Sequence, residues 1–266
     1  MSALPNRDDT PMVLREDADG VAHLTLNRPA QFNALSEAML TALIARLDAI
    51  AADDSVRVVV LSGAGKAFCA GHDLKEMRAN HALEFHQGLF RLCGQLMLKL
   101  IRLPQPVIAR VHGIATAAGC QLVSMCDLAV AAEVSRFAVS GINVGLFCST
   151  PAVGLSRNMG RKEAFEMLVT GEFIGAAEAQ RRGLVNRVVP LDQLDAAVAA
   201  LTASICAKTP VAVKMGKQLF YQQLEMGIEA AYQSAAETMA CNMMTEDAGE
   251  GIDAFVAKRA PVWKGR

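Results

Sequence analysis

GIATAAGCQLVSMCD, Gly113–Asp127, is the stretch from which the rest of the chain can be read. Five of its first seven residues are Gly or Ala, a lone Gln follows, and then an apolar run. Small residues in series let a backbone come close to another group. PVIARVHG (Pro106–Gly113) precedes it with the β-branched, apolar character of a buried strand. Gly119 to Cys126 reads as a short buried helix, and DLAVAAE (Asp127–Glu133) as the next strand. Strand, small-residue turn, buried helix and strand in succession predict a layered α/β fold.

A second turn of the same kind lies upstream. VRVVVLSG (Val56–Gly63) is a strand pattern, and it runs into KAFCAGHDLKEM (Lys66–Met77). CAG is a tight turn, and Asp73 can cap the helix after it. Backbone N–H groups at such turns are unpaired and carry partial positive charge. Two of them aimed at one spot would polarise a carbonyl. Tight packing of helix on sheet demands the same small residues, so the pattern alone leaves both readings open.

Around these turns, VAHLTLN (Val21–Asn27) alternates as a strand does, and Ser36–Asp53 has helical spacing with Ser36 as N-cap. His81–Leu103 is a long amphipathic helix stopped at Pro104. Arg136–Pro151 reads as strand and loop, followed by two short helices that each end at Gly and a last strand, VNRVVP (Val185–Pro190). From Leu191 to Arg259 the pattern is helical only, broken near Pro210 and Gly227. Two regions are expected: a β/α core over residues 1–190 and a helical region over 191–266.

The chain has 266 residues, with 26 Lys and Arg against 27 Asp and Glu. This balance gives no electrostatic reason to expect nucleic acid or a membrane surface. Hydrophobic residues make up 52% and charged residues only 20%, so some apolar surface is expected to be covered by other subunits. MSALPNRDDT lacks an apolar leader, and a cytoplasmic location is expected. Seven Cys occur without CxxC pairs or His at zinc spacing, so free thiols and no metal are expected.

LNRPAQFNALS, KAFCAGHDLKEM, GIATAAGCQLVSMCDLAVA, EMLVTGEFIGAAEAQRRGLVNRVVP and GIDAFVAKR, in that order, resemble the crotonase (enoyl-CoA hydratase/isomerase) superfamily. The resemblance implies a spiral of ββα turns, a helical C-terminal trimerisation region, self-association as a trimer or a dimer of trimers, and a coenzyme A thioester as substrate with no permanently bound cofactor. It implies an oxyanion hole made by the backbone N–H groups of His72 and Ala118. The cofactor-binding positions it implies are Lys66, Ala70, Asp73, Leu74, Lys75, Phe255 and Lys258.

The same resemblance implies two glutamates for a hydratase. Their positions fall on Gln121 and Gly141, so neither carboxylate is present. Gln121 can hold a water or a thioester group but cannot take a proton. A hydratase-like lyase with weak hydration is therefore expected. One alternative is a decarboxylase or thioesterase using His72 or the Cys148-Ser149 segment, and another is a non-catalytic acyl-CoA-binding protein. His72 resembles the histidine of methylmalonyl-CoA decarboxylases, although the tyrosine those enzymes carry is replaced here by about Cys148. His81 and His86 are expected not to share a helix face closely, with His81 in solvent. Glu76 and Glu84 are expected to be solvated, and Asp127 to fix backbone at a strand start.

Overall fold

The computed structural model describes residues 10–266. Two strands come first among the described residues, β1 (Val13–Ala18) and β2 (Val21–Leu26), and α1 (Glu37–Ala51) follows. Ser36 caps α1, its hydroxyl accepting from the Met39 N–H at 3.2 Å. Next come β3 (Val58–Gly63), β4 (Ala67–Cys69), α2 (Leu74–Ala79) and α3 (Leu83–Arg102). The following turn of chain holds β5 (Val107–Val111), β6 (Ile114–Thr116) and α4 (Ala118–Met125). Then come β7 (Leu128–Ala132), β8 (Arg136–Ala138), α5 (Ser149–Asn158), α6 (Arg161–Thr170), β9 (Ile174–Gly175), α7 (Ala176–Arg181) and β10 (Arg187–Val189). Four helices complete the fold: α8 (Leu194–Cys206), α9 (Pro210–Gln223), α10 (Ile228–Met243) and α11 (Glu246–Val256).

The strands form two sheets. One has the order β1-β2-β3-β5-β7-β10 and is parallel except for the β1–β2 hairpin. The other has the order β4-β6-β8-β9. The chain visits them alternately: β3 then β4, β5 then β6, β7 then β8, with helices closing each round. This is the spiral of ββα turns that the sequence resemblance implies. A strand covered on both faces reads as a continuous apolar run, and β3 does. Val59 and Leu61 face the main core with Leu43, Leu47 and Leu96, while Val58 and Val60 meet Leu194 and Val198 of α8 on the other side.

Two features escape the sequence pattern. The second sheet is built of strands of two or three residues, too short to show alternation. Helix α5 begins inside the Arg136–Pro151 stretch read as strand and loop and runs on to Asn158, its start disguised by Pro151 and Gly154. Pro151 sits in the first turn, where its missing N–H would have had no helical acceptor. A Cβ on Gly154 would lie 2.3 Å from Ser124 Oγ, so that glycine marks close packing of α5 on α4 rather than a break.

Candidate functional site

The small residues of the opening stretch meet the CAG turn. A Cβ on Gly119 would lie 2.1 Å from the Cys69 carbonyl oxygen, and one on Gly113 would lie 2.3 Å from that of Lys66. Gly71, at φ +92°, faces the start of α4: a Cβ there would lie 2.8 Å from Ala117 Cβ and 3.1 Å from the Ala118 nitrogen. The CAG turn and the start of α4 are therefore closely packed.

His72 pairs with Leu35 as a parallel bridge. The Leu35 N–H donates to the Gly71 carbonyl at 2.8 Å and the Asp73 N–H to the Leu35 carbonyl at 3.4 Å. In that pattern the N–H of the middle residue faces away from its partner strand, and the His72 N–H has no backbone acceptor among the described residues. Ala118 is the first residue of α4, so its N–H lacks a helical acceptor as well. Ala117 before it holds φ 50°, ψ −121°, a conformation suited to glycine, and is tied by its N–H to the Ala138 carbonyl at 3.0 Å. Backbone strain of this kind costs about 1–3 kcal/mol and persists only where the surroundings enforce it. Two unpaired donors side by side can stabilise an oxygen that gains negative charge.

Gln121 is 4% exposed, and its Oε1 lies 4.0 Å from the Cys93 sulfur of α3. Gly141 is in a 3-10 turn, Ser140–Val144. A Cβ there would lie 2.7 Å from both Cys148 Sγ and the Leu146 carbonyl oxygen. Cys148 precedes α5, and burial pushes its thiol pKa up, partly offset by the Gly141 N–H. Burial likewise pushes the thiols of Cys69, Cys93 and Cys120 up to about 12. These sulfurs are neutral thiols and therefore weak nucleophiles. Ser149 Oγ donates to the Phe147 carbonyl at 3.3 Å, and neither Cys148 nor Ser149 is hydrogen-bonded to a histidine among the described residues.

The His72 ring is held by Nδ1, 3.2 Å from the Leu35 carbonyl oxygen. Burial lowers its pKa, and the hydrogen bond to that carbonyl only partly opposes this. Its ring stands edge-on to Phe90 at 5.4 Å. His86 stacks on the same Phe90 at 6.3 Å, and His81 packs on His86 at 6.0 Å. His81 is exposed, as expected; it precedes α3, so helical spacing does not govern it, and its ring also contacts that of His86. Phe90 and Cys93 were missed by the sequence reading. With His86 they follow i, i+4, i+7 spacing, which marks one helix face.

The expected cofactor residues fall into two groups. Lys66, Lys75 and Leu74 are exposed beside the CAG turn, and Ala70 donates its N–H to the Phe32 carbonyl at 3.0 Å. The Asp73 carboxylate caps α2 through the Lys75 and Glu76 N–H groups and pairs with Arg28 at 3.4 Å. Phe255, 85% exposed, and Lys258 lie at the far end of α11, and no hydrogen bond ties them to the first group among the described residues. Glu76 is not simply solvated, since its Oε2 accepts from the Glu37 N–H at 3.1 Å and helps anchor α1. Asp127 does fix backbone, accepting from the Val107 N–H at 2.6 Å at the start of β5.

Residues 16–266 match the enoyl-CoA hydratase/isomerase family pattern. The chain is 44% identical to enoyl-CoA hydratase domain-containing protein 3, mitochondrial, of Xenopus laevis, over 96% of this chain and 86% of that protein. The crystal structure of an enoyl-CoA hydratase from Mycobacterium smegmatis shares 62% identity and a TM-score of 0.94, covering 96% of this chain and 99% of that one. The human domain-containing protein 3 structure shares 42% identity and a TM-score of 0.92, over 95% and 100% of the two chains. The expected cytoplasmic location is corrected by these relatives: the frog, rat and human proteins are named mitochondrial. Net charge does not tell one aqueous compartment from another. Fold, sequence pattern and paired small-residue turns agree along nearly the whole chain, and the protein belongs to the enoyl-CoA hydratase/isomerase family, the crotonases.

Proposed function

We propose that this chain binds an acyl-CoA thioester with its carbonyl oxygen between the N–H groups of His72 and Ala118, and stabilises the enolate that forms when C2 loses a proton or C3 is attacked. The observation that supports this reading is the abutment of Gly71 on the Ala118 nitrogen, next to the unpaired His72 N–H. Each preorganised donor of this kind is worth about 3–4 kcal/mol where one has been removed. Lys66 and Lys75 offer exposed cations near the turn for the CoA phosphates. The hydratase carboxylates are replaced by Gln121 and Gly141, so hydration is weak.

Titration calorimetry with acetyl-CoA and a longer acyl-CoA tests the reading. Saturable binding is expected, weakened by Lys66→Glu with Lys75→Glu. An absence of heat with either ester removes the acyl-CoA assignment.

Phe255 and Lys258 reach a CoA bound on a neighbouring copy in this reading, which calls for self-association. The exposed apolar side chains Phe220, Leu224, Ile228, Tyr232, Met239 and Met243 of α9, α10 and their connection supply a surface for it. Sedimentation at micromolar concentration should give a trimer or a dimer of trimers, and a monomer would refute the assembly.

A further inference from the structure

Two imidazole nitrogens near the turn, His72 Nε2 and His86 Nδ1, are closed off from solvent and have no hydrogen-bond partner. Buried polar atoms are nearly always paired, so each such exception calls for an explanation. The rings of both flank Phe90. His86, Phe90 and Cys93 share one face of α3; Cys93 reaches Gln121 and Phe90 reaches His72. The His72 ring and the Gln121 amide therefore lean on the same wall.

The tautomer of His72 follows from its partner. A carbonyl only accepts, so the contact of Nδ1 with the Leu35 oxygen at 3.2 Å places the proton on Nδ1 and leaves a lone pair on Nε2. Burial favours the neutral ring. An imidazole whose Nδ1–H is held by an acceptor and whose Nε2 is free has the form of a general base. The His86 ring makes no hydrogen bond among the described residues, so nothing fixes its tautomer in this way. The His72 backbone N–H is also one of the two donors of the reading above, so donor and base would belong to one residue.

We propose that His72 is the general base of this site for proton transfer at C2 of an acyl-CoA. This rests on the reading of the site given above. Nε2 takes the C2 proton; the C–H electron pair becomes the C1–C2 double bond; the carbonyl pair moves to the thioester oxygen held by the His72 and Ala118 N–H groups. Imidazolium and enolate result, and return of the proton restores both. Phe90, partly exposed and edge-on to His72, is the side chain that an entering acyl group displaces.

The test is deuterium exchange into butyryl-CoA, a saturated ester that cannot be hydrated, incubated with the full chain in D2O and read by mass spectrometry. Wild type is expected to exchange the C2 protons. His72→Gln keeps the backbone N–H and should still bind butyryl-CoA by calorimetry, with exchange slowed roughly 10²–10⁴-fold. His72→Asn serves as a second variant should the first fail to fold. His86→Gln should slow exchange less than His72→Gln does. Binding without exchange in wild type, or equal exchange in wild type and a folded His72 variant, overturns the base while leaving the acyl-CoA reading intact. No binding by wild type overturns both.

Discussion

Asp127→Ala is expected to destabilise the fold by about 3–5 kcal/mol, the scale for leaving one member of a buried ion pair alone. Lys217 of α9 is buried, and its ammonium donates to the Leu100 carbonyl at 2.9 Å, the Gln105 carbonyl at 2.9 Å and Asp127 Oδ2 at 2.6 Å. Those three bonds use all three donors of the ammonium. Asp127 Oδ1 accepts from the Tyr221 hydroxyl at 2.7 Å, and Oδ2 from the Val107 N–H. Burial lowers the Lys217 pKa while the carboxylate opposes that shift, so the charge is held in place by its partners. Without Asp127, a buried ammonium, a hydroxyl and a backbone N–H all lose an acceptor. Lys217→Met alone leaves the carboxylate two donors and should cost less. The double variant should be more stable than the sum of the two losses predicts, since the residues act as one unit. Urea unfolding of the three variants checks this. A loss under 1 kcal/mol for Asp127→Ala would show that packing alone holds α9 on the core.

The second large effect concerns hydration. Crotonyl-CoA should be hydrated at least about 10⁴-fold more slowly than by a site with both carboxylates, since each positioned acid or base contributes roughly 10²–10⁴-fold and the pair acts together. Gln121→Glu should raise the rate by up to about 10²-fold, because it returns a carboxylate where a buried amide now sits. From the sequence alone, Gly141→Glu would complete the pair and the double variant would be best. The structure changes that expectation. A Cβ at residue 141 lies 2.7 Å from Cys148 Sγ and 2.7 Å from the Leu146 carbonyl oxygen. Cys148→Gly would clear only the sulfur, and the Leu146 backbone would still have to move. Gly141→Glu is therefore expected to lower stability and to add no activity to Gln121→Glu. The decay of the enoyl thioester's ultraviolet absorbance measures the rates. Turnover by the unaltered protein at about 10 s⁻¹ or above would refute this account of the site.

Local pattern made most elements legible. Ser36 before an apolar 3.6 period marks α1, and the apolar run of β3 marks a strand covered on both faces. Asp73 marks the start of α2, and its cap is where the pattern puts it. Short elements were not legible. Strand β6 has three residues inside what reads as a turn, and α5 is disguised by Pro151 and Gly154.

By itself the sequence determined the longer strands and most of the helices, that two small-residue turns follow two strands, and that Gln121 and Gly141 bring no carboxylate. It could do so because these properties are written in residues that are neighbours along the chain. The tertiary structure alone decided that Gly71 abuts the Ala118 nitrogen, that Cys148 fills the space beside Gly141, and that Lys217 finds Asp127. The first and last of these join residues far apart in sequence, and the second depends on how the 3-10 turn after β8 folds back on the start of α5. Such contacts follow from how two sheets and their helices close on one another, and no local period encodes that closure.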